Sequence, residues 1–429
     1  MTDLPQGWAA RSLGSVLRFN YGKSLPAHAR EAGLVTVYGS NGPVGLHSKA
    51  LIEGPAIIVG RKGSIGEVHY STGPRWPIDT TYFIDDFRDH SPQFWFWYIK
   101  HLRLDSLDRA SAIPGLNRED AYQSTVFVPP LQEQRRIVAK LDRLFERTKT
   151  AREELARIPR LVERYKQAAL AAAFRGDATR KWRAAHPSTQ SASLVKRQNT
   201  RGFQRREGSN SPADSSQRTP LPGTWRAVTV DSIGEVILGR QRSPENYTGP
   251  CMRPYIRAAN IKWDGWDVSD VKEMNFDERD FAKFKLQTGD VLINEGSGSA
   301  AEVGKPAIWK DQIKNCCFQN TLIAVRPHSV SSEFLYYVLL SAARSKAFVD
   351  QTRGVNIHHI GRAGLAQFVI PLPPRDEQEE IVNQIRAALK VIDRLLIEAT
   401  SASELLNRFE QATLAKAFRG ELLAMSRTA

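Results

Sequence analysis

The sequence predicts an α+β chain in which a mixed strand-and-helix segment, followed by a long helix, occurs twice. Three observations carry this. First, PPLQEQRRIV (129–138) returns as PPRDEQEEIV (373–382), and YKQAALAAAFRG (165–176) returns as FEQATLAKAFRG (409–420). The offset is 244 in both cases, so two 48-residue stretches share one ungapped register, and such a repeat decides architecture. Second, both copies carry an apolar seam in steps of three and four. Third, the longer and dissimilar segments before them open alike, LPQGWAARSLGSV (4–16) against LPGTWRAVTVDSIGEV (221–236), and are dense in turns and short apolar strands.

At roughly 150 residues per domain, 429 residues allow two to four structural units. Sixty Lys and Arg against 46 Asp and Glu leave a net charge of +14, which favours a polyanionic partner such as nucleic acid. Cys251, Cys316 and Cys317 supply neither a disulfide framework nor the paired spacing of a zinc site. The opening residues lack the apolar core of a signal peptide, and no run reaches the roughly 18 apolar residues of a membrane span. A soluble, cytoplasmic chain in a reducing compartment, with no membrane partner, is the expectation.

The first seam runs Leu141, Leu144, Thr148, Ala151, Leu155, Ile158, Val162, Tyr165, Ala169, and the second Ile385, Ala388, Ile392, Leu395, Ala399, Ala402, Leu406, Phe409, Thr413. A narrow seam sustained over more than four heptads favours helix on helix, with the other copy as the partner. Two separate helices, each packed on its own domain, are the alternative. Prolines precede both starts, and Gly176 and Gly420 stand where a C′ glycine closes a helix. Pro159 occurs only in the first copy and is expected to bend or break that helix near Arg157. At 1.5 Å per residue, about 40 residues make a spacer on the order of 60 Å long. Between the copies, 177–219 is rich in Ser and basic residues without periodicity and reads as a flexible basic linker; Arg180, Lys181, Arg197, Arg201, Arg205 and Arg206 are its phosphate-facing candidates.

In the first variable segment YGSNGPVG (38–45) predicts a hairpin closed at Asn41-Gly42, followed by the strand and glycine loop of AIIVGRKGSIGEV (56–68). FWFWYIKHLRL (94–104) predicts a buried helix in which Trp95 and Trp97 are core residues rather than base-stacking ones. Neither GRKGSIG (60–66) nor GSGSAAEVGKP (296–306) has the Walker A spacing, so both are read as hairpins presenting polar and basic side chains. In the second segment YIRAANIKWDGWDV (255–268) reads as a strand and polar turn, and GDVLINEGSG (289–298) as a strand delivering Asn294 and Glu295. Arg257, Asn260, Asn294, Gln319 and Asn320 have the hydrogen-bonding chemistry to read base edges, against the ordinary role of turn and capping residues. His358-His359 lacks a third metal ligand in the sequence pattern. Sequence motifs for nucleophilic, metal-hydrolytic and amino-methyltransferase catalysis are absent, so the catalytic set and the metal set are both empty.

The duplicated PP-x-x-EQ-x-x-IV start, the AFRG end, the tryptophan opening of each half and the YGSNG…GRKGSIG run together resemble the specificity (S) subunit of type I restriction–modification systems, over essentially the whole chain except the linker. The resemblance implies two mixed α/β target-recognition domains, related by a pseudo two-fold axis and separated by two long antiparallel helices that form a coiled-coil spacer. It divides the chain into a first recognition domain (1–128), a first spacer helix (129–176), the linker (177–219), a second recognition domain (220–372) and a second spacer helix (373–424). Each domain would dock one half of a bipartite, asymmetric site on double-stranded DNA. Two methyltransferase (M) subunits with S-adenosylmethionine, and restriction (R) subunits using ATP and Mg, would supply the catalysis. The DNA-facing candidates carried over are Ser40, Asn41, Arg61, Lys62 and Ser64 in the first domain, and Arg257, Asn260, Lys262, Asn294, Ser297 and Gln319 in the second. Rival readings are a stand-alone nucleic-acid-modifying enzyme, which needs activity from the chain alone, and a helical scaffold without DNA specificity.

Overall fold

The computed structural model describes residues 4–107, 115–187, 191–192, 220–297, 302–348 and 358–423. Contacts divide the chain into two compact units, Met1–Arg157 with Glu398–Ala429, and Ile158–Ile397.

The first unit is built on two sheets. One has four antiparallel strands in the order Asn20–Tyr21, Thr81–Ile84, Ala56–Gly60, Val68–Ser71. The other places Val35–Gly39 between Gly42–His47, antiparallel, and Arg75–Pro77, parallel. The hairpin between Gly39 and Gly42 turns on Ser40-Asn41, one residue earlier than the Asn-Gly pair suggests, with Gly42 at φ +111°. The helix Pro92–Leu102 closes the core: Ser91 caps it, Trp95 is fully buried, and Trp97 donates its indole N–H to Asp142 at 2.9 Å. This core also takes in Ile137, Leu141 and Phe145 from the first long helix and Leu414, Ala417 and Phe418 from the second.

The second unit repeats the design. Its four-stranded sheet runs Gly234–Leu238, Leu322–Pro327, Val291–Asn294, Pro306–Ile308, again antiparallel. Its three-stranded sheet places Met252–Ile256 between Lys272–Asn275, antiparallel, and Cys317–Phe318, parallel. The helix Ser332–Arg344, capped by Ser331, stands where Pro92–Leu102 stands in the first unit.

The long helices are Leu131–Phe174 and Arg375–Phe418. Within the first unit they run antiparallel, Thr148 donating to Glu410 at 2.8 Å and Arg152 to Asn407 at 2.8 Å. Within the second, Lys166 pairs with Asp393 at 2.7 Å. Each ends in the same motif: Gly176 and Gly420 have φ near +80°, and Asp177 and Glu421 donate their N–H groups back to Ala172 and Lys416. Leu141, Val162 and Ile385 of the expected seam are buried, and Leu144, Leu155, Ile158, Ile392 and Leu406 are half-buried. Tyr165, Leu395 and Phe409 face outward instead, and their neighbours Lys166, Leu396 and Glu410 turn inward. A strict 3.5-residue count drifts about 20° per heptad on a 3.6-residue helix, so after several heptads the inner place passes to the next residue.

Two further expectations are corrected. The first helix is unbroken at Pro159, which is exposed. The start of the segment read as a loose linker is folded: Arg180–Ala185 is helical, Arg180 pairs with Asp177, and Arg183 reaches Glu377 at 2.6 Å. Arg197, Arg201, Arg205 and Arg206 lie outside the described residues. No helix among the described residues is long and apolar enough to cross a membrane.

Candidate nucleic-acid interface

In the first unit the predicted residues converge. The hairpin tip carrying Ser40, half-buried, and Asn41, exposed, lies against the loop that follows Ala56–Gly60. Only glycine fits at position 60: a Cβ there would stand 1.9 Å from the Ser64 carbonyl oxygen and 2.9 Å from that of Ser40. A Cβ on Gly63 would come 3.4 Å from Ser40 Oγ, so tip and loop form one surface. Lys62 is exposed, Ser64 half-buried, and Lys62 bridges to Gly115. Arg61 is held hard. Its guanidinium lies 5.3 Å from the ring of Tyr21 and 5.8 Å from that of Tyr82, and donates to the Asp79 carbonyl at 2.7 Å. Burial, reinforced by the neighbouring Tyr21 hydroxyl, pushes the Tyr82 hydroxyl up to about 12, so it stays protonated and donates to the Leu116 carbonyl at 3.1 Å.

Sequence reasoning passed over Tyr21 and Arg118. Tyr21 is half-exposed, and Arg118 covers its ring at 5.4 Å, opposite in sequence but adjacent in space to Arg61. A usable signal existed for Arg118, because Arg362 recurs at the same offset of 244.

In the second unit the candidates divide. Arg257 is tied to Asp270 by an ion pair, and its backbone N–H donates to Asn260 Oδ1 at 3.0 Å. Asn260 is 2% exposed and donates to the Asp267 and Asp270 carbonyls, so both ends of its amide shape the turn rather than face a ligand. Asn294, 3% exposed, also points inward, donating to the Glu302 carbonyl at 3.3 Å. Lys262 is exposed, 3.6 Å from Asp267. Gln319 and Asn320 are half-buried in the turn whose carbonyl at Gln319 stands 2.2 Å from where a Cβ on Gly239 would be. Ser297 lies in a two-residue strand pairing with His358–His359, and the side chains of Ser297 and His358 lie outside the described residues. Glu295 is half-buried beside His359, and burial raises its carboxyl above the usual range.

Among the described residues no group of three His, Cys, Asp or Glu side chains could hold a metal. Burial pushes the thiols of Cys316 and Cys317 up to about 12, which leaves neither a nucleophile at neutral pH. What the arrangement offers is two surfaces of cations and hydrogen-bonding groups on tight turns.

Comparison with known proteins agrees with this geometry. Residues 5–160 and 222–404 match the type I restriction modification DNA specificity domain. The chain is 23% identical over 432 residues to the type I restriction enzyme EcoDI specificity subunit of Escherichia coli, covering 99% of this chain and 90% of that one. To the EcoKI specificity subunit of Escherichia coli strain K12 it is 25% identical, over 76% of this chain and 63% of that one. A chain from a solved type I R-M system superposes with a TM-score of 0.69 at 21% identity, covering 98% of this chain and all of that one. The HsdS subunit of Thermoanaerobacter tengcongensis gives 0.52 at 23%, covering 98% of each. With the domain matched twice, over most of the length and once in each half, this chain belongs to the family of type I restriction modification DNA specificity domains.

Proposed function

We propose that this chain is the non-catalytic DNA-reading subunit of a type I restriction–modification complex in the cytoplasm, with recognition domains at 1–128 and 220–372, each contacting one half of a bipartite, asymmetric site. The observation that carries the reading is a repeated frame with unlike side chains. Both units have the same strand order in both sheets, yet the turns at corresponding places differ: Arg61 and Lys62 in one stand against Glu295 and Gly296 in the other, and the Ser40-Asn41 turn against the one that carries Arg257 and Lys262. One backbone design bearing two sets of polar side chains suits two different half-sites.

In this reading Lys and Arg neutralise phosphates and give sequence-blind, salt-sensitive affinity, while the turn side chains discriminate bases by about 1–3 kcal/mol per good bidentate contact. The helices at 129–176 and 373–424 serve as spacer. They leave Leu161 and Tyr165 exposed in one copy and Leu405 and Phe409 in the other, at matching register, which supports attachment of one M subunit to each copy. S-adenosylmethionine chemistry then belongs to the M subunits, and ATP and Mg to the R subunits.

The chain co-purified with its M partner is expected to bind one bipartite duplex at least tenfold more tightly than the same duplex with either half scrambled, on the order of one good base contact or more. Equal binding to all three duplexes would overturn the reading.

A further inference from the structure

The two units share one clamped backbone position, and they put opposite charges on it. Arg61 follows the strand Ala56–Gly60; its N–H donates to the Thr80 carbonyl at 2.9 Å and its carbonyl accepts from Leu116 at 2.9 Å. Glu295 follows the strand Val291–Asn294; its N–H donates to the Thr321 carbonyl at 3.0 Å and its carbonyl accepts from Ile360 at 2.9 Å. The next residues correspond too, Lys62 bridging Gly115 and Gly296 pairing with His359. The strands alongside agree: Gly22 donates to the Thr81 carbonyl and Gly239 to that of Leu322, so Tyr21 and Leu238 are counterparts, as are Tyr82 and Ile323.

The surroundings have changed with the charge. Arg61 lies against the faces of Tyr21 and Tyr82, which attract a cation. Glu295 stands where those rings are replaced by Leu238 and Ile323, and among the described residues the neighbouring charge acting on it is His359. A half-buried carboxylate on a chain of net charge +14 gains nothing from phosphates, which repel it. Its desolvation is offset by cations and by hydrogen-bond donors, and DNA itself offers only the latter, on base edges as exocyclic amino groups.

We propose that Glu295 is a specificity-determining residue that accepts a hydrogen bond from an exocyclic amino group, cytosine N4 or adenine N6, in the half-site read by the second unit. Arg61, its counterpart, presents donors to base acceptors in the other half-site. This rests on the reading of the chain as a DNA-specificity subunit.

The test uses the purified complex with its M subunits, and methylation of duplexes in which each base pair of the site is changed in turn. Glu295→Met keeps the length of the side chain and removes the acceptor. It is expected to lower discrimination at one amino-presenting position of one half-site by roughly tenfold or more, leaving the other half-site unchanged. Glu295→Arg should move the preference at that position towards guanine, and Arg61→Met should relax only the opposite half-site. Should Glu295→Met fail to assemble, Glu295→Gln tests the acceptor-only character of the carboxylate: its amide can accept or, flipped, donate, so discrimination against a base presenting a carbonyl in place of the amino group is expected to fall. Unaltered preference at every position in the assembled Glu295 variants overturns the proposal. A wild-type complex without any base preference would instead overturn the reading on which it rests.

Discussion

At the residue scale the repeated Glu-Gln doublet explains why both long helices begin as they do. Gln134 is fully buried, donates to the Pro129 carbonyl at 2.9 Å and accepts from the Ser91 N–H at 2.9 Å; Gln378 donates likewise to Pro373 at 3.0 Å. Glu377 is fully buried and accepts from Thr179 Oγ1 at 2.6 Å, Arg183 at 2.6 Å and the Trp225 indole at 2.8 Å. Glu377→Ala takes the shared acceptor from all three donors, one of them the half-buried Arg183 guanidinium, and a loss of about 3 kcal/mol is expected from urea unfolding. An effect below about 1 kcal/mol would mean that water replaces the carboxylate. The doublet was plain in the sequence, but its purpose was not, because Thr179 and Trp225 lie 198 and 152 residues away. Histidines set a pH dependence at the same scale. Burial lowers His69, His90 and His101, all in the first unit, below the ordinary value of 6.5. The unfolded chain therefore binds protons that the folded unit refuses. Stability is complete above about pH 6.5 and declines as the pH falls through and below that value, which thermal unfolding between pH 7.5 and 5.5 measures. A flat or rising melting temperature on acidification would contradict this.

Elements were legible where local signals are strong. Prolines before each long helix and a glycine after it mark ends that the structure reproduces within two residues, because caps and breakers act locally. The kinship of the two variable segments was illegible. Their sheets share an order fixed by backbone bonds between distant strands, such as Arg61 with Thr80 and Glu295 with Thr321, and strand propensity carries little of that information. The same holds for Asn260 and Asn294, whose chemistry suits base reading but whose amides are buried inside the fold. Pro159 yields a prediction for the first helix. Pro159→Ala supplies an N–H at an exposed helical position and is expected to stabilise the chain by about 1–3 kcal/mol while leaving the recognised DNA sequence unchanged. A lower melting temperature in that variant would show that the helix requires the proline.

For the whole molecule, duplication supplies the central idea. Two units with one backbone design, each closed by parts of both long helices, carry different side chains on equivalent turns, and the chain adds a positive charge of +14 for phosphates. A repeated frame with unlike side chains on its turns is what the proposed asymmetric, two-part target would require. The measurement that tests this most directly is a genome-wide map of N6-methyladenine in cells expressing the partner methyltransferase with and without this chain. The account predicts a single bipartite motif, methylated only when the chain is present. An assembled complex that produces no chain-dependent motif, or methylation at an unbroken symmetric one, would contradict it.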